Sequence, residues 1–452
     1  MQSLDHNKPH EARLGEGMSA DADGETPSAI DRGRRNLLLS AAAATAATAL
    51  SARLAQADQK TANKAPPGAV LYDVPDDATK EMASRSVFSD EGYGTRSQFE
   101  KEVRAKAENR PFDGTSWTLT PLASMIGNLT PSGLHFERHH GGIPTIDPTH
   151  HILYIHGLVD TPKKFTVAEL KTLPSVSRKH FIECSGNTLG EWSKPTGKTV
   201  QVTHGLLSTS EWTGVAFSTL ARAVGLKESA AWVVAEGGDA AVMTRSVPMY
   251  KMLKDAMIAY GQNGEALRPE QGYPLRLILP GYEGNTQIKW LRRIQVGESP
   301  FYTHEETAAY TDLMPDGRAK KFTLMMAAKS VITFPSGEMK LPKPGYYTIR
   351  GIAWSGHGRV KSVEISFDGG QSWLPAQLDD VAEPMCTVRF SSPWNWDGKP
   401  VILQSRCADE TGYVQPPRSK LLNRDGVHAV YHYNAIQSWA VDTDGGVTNV
   451  HV

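Results

Sequence analysis

The sequence predicts an α+β protein: a mixed α/β region followed by a β-sandwich. Two observations carry this. From about residue 122 to about residue 300, strand-like and helix-like stretches alternate. After about residue 320, short β-like runs are separated by turn signals at the spacing of a sandwich. The bulk numbers agree, since 40% hydrophobic and 21% charged residues are ordinary for a globular chain. A length of 452 residues suggests about three domains, and a net charge of -1 leaves no footprint for nucleic acid.

The N-terminal residues 1–57 read as an export signal. Arg34 and Arg35 precede a weakly apolar Ala/Thr/Leu run over 37–54, and Ala55-Gln56-Ala57 fits a small-x-small cleavage site. The arginine pair and the modest hydrophobicity favour the twin-arginine route, which exports folded proteins. That route places the working protein in the periplasm, with its cofactor inserted beforehand. No later segment reaches the ~18 apolar residues of a membrane span, so none is expected in the mature protein. Residues 58–120 are polar and proline-punctuated, with a charged run over 97–110. They are expected to be mostly extended chain.

The region 121–318 is read as the catalytic domain. Alternation over 151–159 predicts a strand. Thr166 and Glu169 have capping-box spacing, so a helix follows over 166–173 and stops at Pro174. A strand over 178–182 leads into the turn at Cys184. A helix is predicted over 215–224, closed by Gly225, and a buried strand over 231–235. Helical spacing continues over 248–260 before Gly261 and the Asn263-Gly264 turn. A strand over 275–279 ends at Pro280-Gly281. In the C-terminal part, 319–452, β-runs are predicted over 346–353, 359–367, 387–390, 401–408 and 428–433, with a hairpin turn at Asp368-Gly369-Gly370.

Cys184 is one of three cysteines and sits on a Ser-Gly-Asn turn after an apolar run. A thiol so placed is a nucleophile, a soft metal ligand or a buried structural residue. His180 or His204 could serve it as a base in a cysteine hydrolase. Cys386 and Cys407 are either bridged or two buried thiols. The stretch 133–144 offers Arg138 between histidines and a Gly-Gly-Ile-Pro loop, without the usual zinc-ligand spacing. The glycine-punctuated loop 281–290 carries Lys289 and could hold a phosphate, although it is not a P-loop.

Taken together, Phe136-Glu137-Arg138-His139-His140, Glu183-Cys184-Ser185-Gly186-Asn187, Gly272-Tyr273-Pro274-Leu275-Arg276 and the loop from Pro280 to Trp290 resemble the sulfite oxidase family of molybdopterin enzymes. The resemblance covers about residues 120–440. It implies a molybdopterin-binding domain followed by an immunoglobulin-like, dimerisation-type sandwich, to which Ser366 to Trp373 correspond. Cys184 resembles the thiolate that ligates molybdenum. Arg138 and Arg424 resemble the pair lining the anion pocket, and Tyr310 a tyrosine near the substrate. Phe136, His139, His140, Asp239, Gln271, Arg276, Gln287, Ile288 and Lys289 fall at positions that hold the pterin and its phosphate. Two of these depart from the pattern: Gln271 stands where many relatives carry histidine, and His139 where asparagine is common.

Within the family, the stretch 128–140 and Glu191-Trp192 resemble the branch that oxidises sulfane sulfur during thiosulfate oxidation. The implied activity is oxygen-atom transfer to a reduced sulfur, with a sulfane sulfur on a carrier-protein cysteine as the implied substrate. No cytochrome b-like stretch precedes the molybdenum region, and no Cys-x-x-Cys-His is present for covalent haem. The resemblance therefore implies a partner c-type cytochrome subunit and a homodimer through the C-terminal domain. Rival readings are a free-sulfite dehydrogenase, a reductase of sulfoxides or N-oxides on the same fold, the cysteine hydrolase, and a binding protein without catalysis.

Overall fold

The computed structural model describes residues 94, 96–97, 99–106, 114–195 and 197–452. Residues 1–57, read above as an export signal, and most of the segment 58–120 lie outside the described residues. Within that segment, Ala105–Lys106 and Ser116–Leu119 are strands, as the expectation of extended chain requires. Among the described residues no helix is long and apolar enough to cross a membrane.

Three sheets build the first part. Ser116–Leu119 pairs with Ala105–Lys106 and with Glu137–His139, which sets Trp117 opposite Arg138. A second sheet runs Glu265–Ala266, Met257–Gln262, Leu207–Ala216, Ser175–Glu183, with Arg276–Ile278 paired to Met257–Gln262. A third sheet runs Lys163–Thr166, Ile152–Gly157, Leu291–Gly297, Trp232–Gly237, Thr244–Pro248. In it Leu291–Gly297 is parallel to Ile152–Gly157 and antiparallel to Trp232–Gly237. The helices Val167–Thr172, Phe217–Val224 and Met249–Asp255 bring Leu170, Leu220 and Met252 into one apolar core with Ile155, Val233 and Ile294. The capping box at Thr166 forms as the spacing predicts, with Glu169 N donating to Thr166 Oγ1 and Thr166 N to Glu169 Oε2.

The second part is a sandwich of two antiparallel sheets. One contains Lys329–Phe334, Gly345–Trp354, Val388–Trp396 and Gln377–Leu378. The other contains Leu374–Pro375, Val360–Ser366, Val401–Asp409, Ser438–Val441 and Val447–Val450. Alternate residues enter a core around Trp354, Phe390, Trp439 and Cys407. Phe181, Val200 and Leu207 from the first part join this same core. Cys386 and Cys407 are both free and buried.

Three predicted elements change. The helix over 248–260 stops at Asp255, and Met257–Gln262 is a strand paired on both sides. A short apolar run buried on both faces has no period that separates helix from strand, and sheet pairing decided it. The β-run over 387–390 extends to Trp396, through Pro393. Residues 428–433 are not a strand but an irregular loop following a helix, Arg418–Asp425, which sequence patterning did not suggest.

Candidate active site

Cys184 caps the strand Ser175–Glu183 at its inner end. Its backbone N donates to Leu206 O at 3.0 Å, and Asn187 N donates back to Cys184 O at 2.9 Å, closing the turn. Asn187 ties the turn on both sides, donating Nδ2 to Glu183 Oε1 and accepting Leu206 N. Glu183 is fully buried and accepts from Lys329 Nζ at 3.1 Å and Trp354 Nε1 at 2.7 Å. Both donors belong to the sandwich, so the cysteine turn is anchored across the two parts.

Without a metal, burial pushes the Cys184 thiol up, against a smaller opposing effect of Arg138. Neither candidate base is bonded to it. Both ring nitrogens of His180 are buried without a partner, and His204 Nδ1 bonds Thr203 Oγ1. A hydrolase needs a base at the thiol to make the thiolate, so the geometry goes against that rival.

Cys184 stands where two cavities meet. The inner one has a volume of about 70 Å³ and the outer one about 720 Å³, and both are lined by Arg138, His140, Cys184 and Tyr310. Arg138 projects from the strand Glu137–His139 and lies 5.4 Å from the Trp117 ring centroid, a cation–π distance. His140 Nε2 lies 2.9 Å from Tyr310 Oη. Burial holds the His140 ring at about 4 and raises the Tyr310 phenol above its ordinary range, so both are neutral near pH 7. Tyr310 has a positive φ of 50°, a strained conformation for a bulky residue.

The far end of the inner cavity is cationic. Arg276 and Lys289 both line it and are both buried. Burial brings Arg276 down to about 9 and holds Lys289 well below its usual range. Arg276 Nη1 donates to Gln271 Oε1 at 2.9 Å, while its Nε has no partner. Lys289 Nζ lies 3.0 Å from Arg138 O, 3.1 Å from Glu270 O and 2.9 Å from His139 Nδ1. The other ring nitrogen, His139 Nε2, lies 2.6 Å from Glu137 Oε2. With the ammonium donating to Nδ1, His139 is a neutral ring that donates through Nε2. Gly272 has φ +106°, and a Cβ there would stand 2.9 Å from Lys289 Cβ. Only glycine brings the loop this close to Lys289.

Twelve of the thirteen residues singled out from the sequence line the inner cavity: Phe136, Arg138, His139, His140, Cys184, Asp239, Gln271, Arg276, Gln287, Ile288, Lys289 and Tyr310. Arg424 does not, and its expected place in the anion pocket is corrected here. It sits on the helix Arg418–Asp425 with a half-exposed side chain, and its Nη2 donates to Asp425 Oδ2 at 2.6 Å. A carboxylate one residue away neutralises it.

The sequence reading missed a second guanidinium, that of Arg245. It is buried, 5.1 Å from the Tyr310 ring centroid, and paired with Glu283 at 3.2 Å and Glu306 at 3.4 Å. Glu283 also lies 3.2 Å from His432 Nε2. Burial works against the Glu283 charge, but Arg245 and His432 outweigh it and hold the carboxyl at about 2.

Two family models match the chain: an oxidoreductase molybdopterin binding domain over residues 140–305 and a Mo-co oxidoreductase dimerisation domain over residues 320–439. The crystal structure of the sulfane dehydrogenase SoxCD from Paracoccus pantotrophus is 41% identical, covers 83% of this chain and 97% of that one, and superposes with a TM-score of 0.80. The chain belongs to the sulfite oxidase family of molybdopterin enzymes. Curated relatives in the family include nitrate reductases of Hordeum vulgare, 32% identical over 61% of this chain, and of Cichorium intybus, 30% identical over 74%. The chain spans only 34% and 41% of the length of those two proteins.

The residues present fit the molybdenum cofactor that the family implies. A soft ligand, Cys184, stands at one end of an elongated cavity. Two buried cations stand at the other, one with an unpartnered N–H. Buried charge without a counter-ion is costly, and an anionic phosphate there would supply one.

Proposed function

We propose that the protein is a periplasmic molybdenum dehydrogenase of reduced sulfur, exported by the twin-arginine route. Its substrate is a sulfane sulfur carried on a cysteine of a carrier protein during thiosulfate oxidation. Its electrons pass to a c-type cytochrome subunit, and its sandwich domain forms a homodimer contact. The observation that best supports the substrate is the outer cavity. Its volume of about 720 Å³ far exceeds what a free sulfite needs. Its lining includes Leu189 and Val202, exposed by 49% and 56%. Such a funnel suits a peptide arm that delivers a sulfur to Cys184.

The bound cofactor supplies oxygen-atom transfer and takes up two electrons. Cys184 Sγ holds the metal, which prefers soft ligands. Arg276 and Lys289 would hold the anionic end of the cofactor. Arg138 draws the negatively charged sulfur towards Cys184 with a charge it cannot lose. Tyr310 keeps its proton and, with His140, forms a neutral hydrogen-bonding wall beside the substrate.

The test compares persulfide-loaded carrier protein with free sulfite as substrates of the holoenzyme, with a c-type cytochrome as acceptor. The expected result is a higher kcat/KM for the carrier, and loss of all turnover in Cys184→Ser with the fold intact. A higher kcat/KM for free sulfite would overturn the substrate assignment. Full activity in Cys184→Ser would overturn the site.

A further inference from the structure

Arg424 is held by Asp425 and lines neither cavity at Cys184. Arg245, beside Tyr310, is matched by Glu283 and Glu306, and among the described residues Arg138 is the cation lining both cavities that has no carboxylate partner; Lys106 and Lys198, which also line the outer one, are exposed. Arg276 and Lys289 line the inner cavity alone. The sandwich part contributes Val430 and Tyr431 to the outer cavity, together with Glu338, which is exposed and lies 3.9 Å from Lys198. The Tyr431 ring centroid is 5.2 Å from that of Tyr310.

This neutral wall is held firmly. Asp312 Oδ1 accepts from Val430 N at 2.7 Å and from Tyr431 N at 3.1 Å. His432 N donates to Ser185 O at 2.9 Å, one residue from the thiol. The loop therefore has its backbone fixed on both sides of the turn it faces. A charged group introduced at 431 would project from a fixed backbone.

We propose that Val430 and Tyr431 determine substrate choice. They set a neutral wall beside Arg138, so that the site favours a sulfur of single negative charge over a free, doubly charged oxyanion. This rests on the sulfur-oxidising reading above and deepens it. One arginine balances one charge. A second charge would be taken from water without a partner, and leaving a buried charge unpaired is penalised more than a good pair is rewarded.

The experiment introduces the missing cation. Tyr431→Arg and Val430→Arg are made in the holoenzyme, with Tyr431→Phe as a neutral control. Sulfate, a doubly charged anion that is not turned over, serves as the probe, through both its inhibition constant and its heat of binding. Either arginine variant should tighten sulfate by about tenfold or more, the range of a charge-assisted hydrogen bond. It should lower KM for free sulfite in parallel, whereas the uncharged Tyr431→Phe should not tighten sulfate. The inference is overturned if wild-type protein binds sulfate as tightly as both arginine variants do, whatever sulfur substrate it prefers. Failure of the functional reading looks different: wild-type enzyme would then favour free sulfite over the carrier-bound sulfur.

Discussion

Replacing Lys329 by methionine removes the cation that matches Glu183. The Glu183 side chain is completely buried, and among the described residues the carboxylate has three side-chain donors: Lys329 Nζ, Asn187 Nδ2 and Trp354 Nε1. Lys329 is itself buried and also donates to Thr188 Oγ1 at 2.6 Å. In Lys329→Met the two neutral donors remain, but the negative charge does not find a new partner. Removing one member of a buried ion pair costs about 3–5 kcal/mol, out of a total stability of about 5–15 kcal/mol. Neutralising the carboxylate as well, in Glu183→Gln/Lys329→Met, should recover at least half of that loss, because the unpaired charge is gone. The assay is urea unfolding of the four proteins of the double-mutant cycle, with molybdenum measured on the same samples. Lys329→Met should also retain less metal, because Glu183 and Asn187 fix the turn that presents Cys184. A loss below about 1 kcal/mol, the value of an exposed pair, would refute the reasoning. So would a double variant no more stable than Lys329→Met alone.

Three other outcomes follow from the geometry. Arg276→Gln and Lys289→Gln should each yield protein that folds but retains less pterin, measured by fluorescence of the released and oxidised group; unchanged pterin content would remove them from the phosphate end. Arg424→Ala should change stability by less than about 1 kcal/mol and leave KM for an anionic sulfur substrate unchanged, and a large rise in KM would restore the arginine to the anion pocket. Burial, with Arg276 adding to it, holds His135 at about 3 from its ordinary 6.5, so below pH 6.5 the unfolded chain binds a proton that the folded one refuses. Stability should therefore fall with acidification, by about 1.4 kcal/mol per pH unit from this ring, and a urea titration should show that His135→Leu lacks this part of the slope.

The contiguous parts of the site were legible because the chemistry sits in short words. A cysteine on a Ser-Gly-Asn turn, an arginine followed by two histidines, and a lysine after a glycine-rich loop each declare a type of contact before any fold is known. What was not legible comes from far along the chain in ordinary residue types. Lys329 reads as one more surface lysine until Glu183 is placed beside it, 146 positions away. Asp312 acquires a role only through the amides of Val430 and Tyr431. Arg424 shows the reverse error. Its position in the chain matched, but Asp425 at the next position captures the guanidinium. Among the elements, the strand Leu207–Ala216 was missed because its buried residues include Ser208, Thr209 and Ser210, a polar run by pattern. Their hydroxyls are satisfied in the interior by Thr120, Thr387 and Gln262.

These distant contacts also assign the sandwich a part in the chemistry. Glu183, just before the thiol, depends on Lys329 and Trp354. Ser185, just after it, accepts from His432, whose ring also reaches Glu283. Both flanks of Cys184 are thus held by residues from beyond position 320, and two more such residues, Val430 and Tyr431, line the outer cavity. A module present only to join two subunits would not need buried polar ties to a cysteine turn, where each unsatisfied group costs about 1–3 kcal/mol. A chain cut between the two parts would leave Glu183 charged and unmatched beside Cys184. The two parts therefore form one site, and changes within the sandwich are expected to alter metal retention as well as assembly.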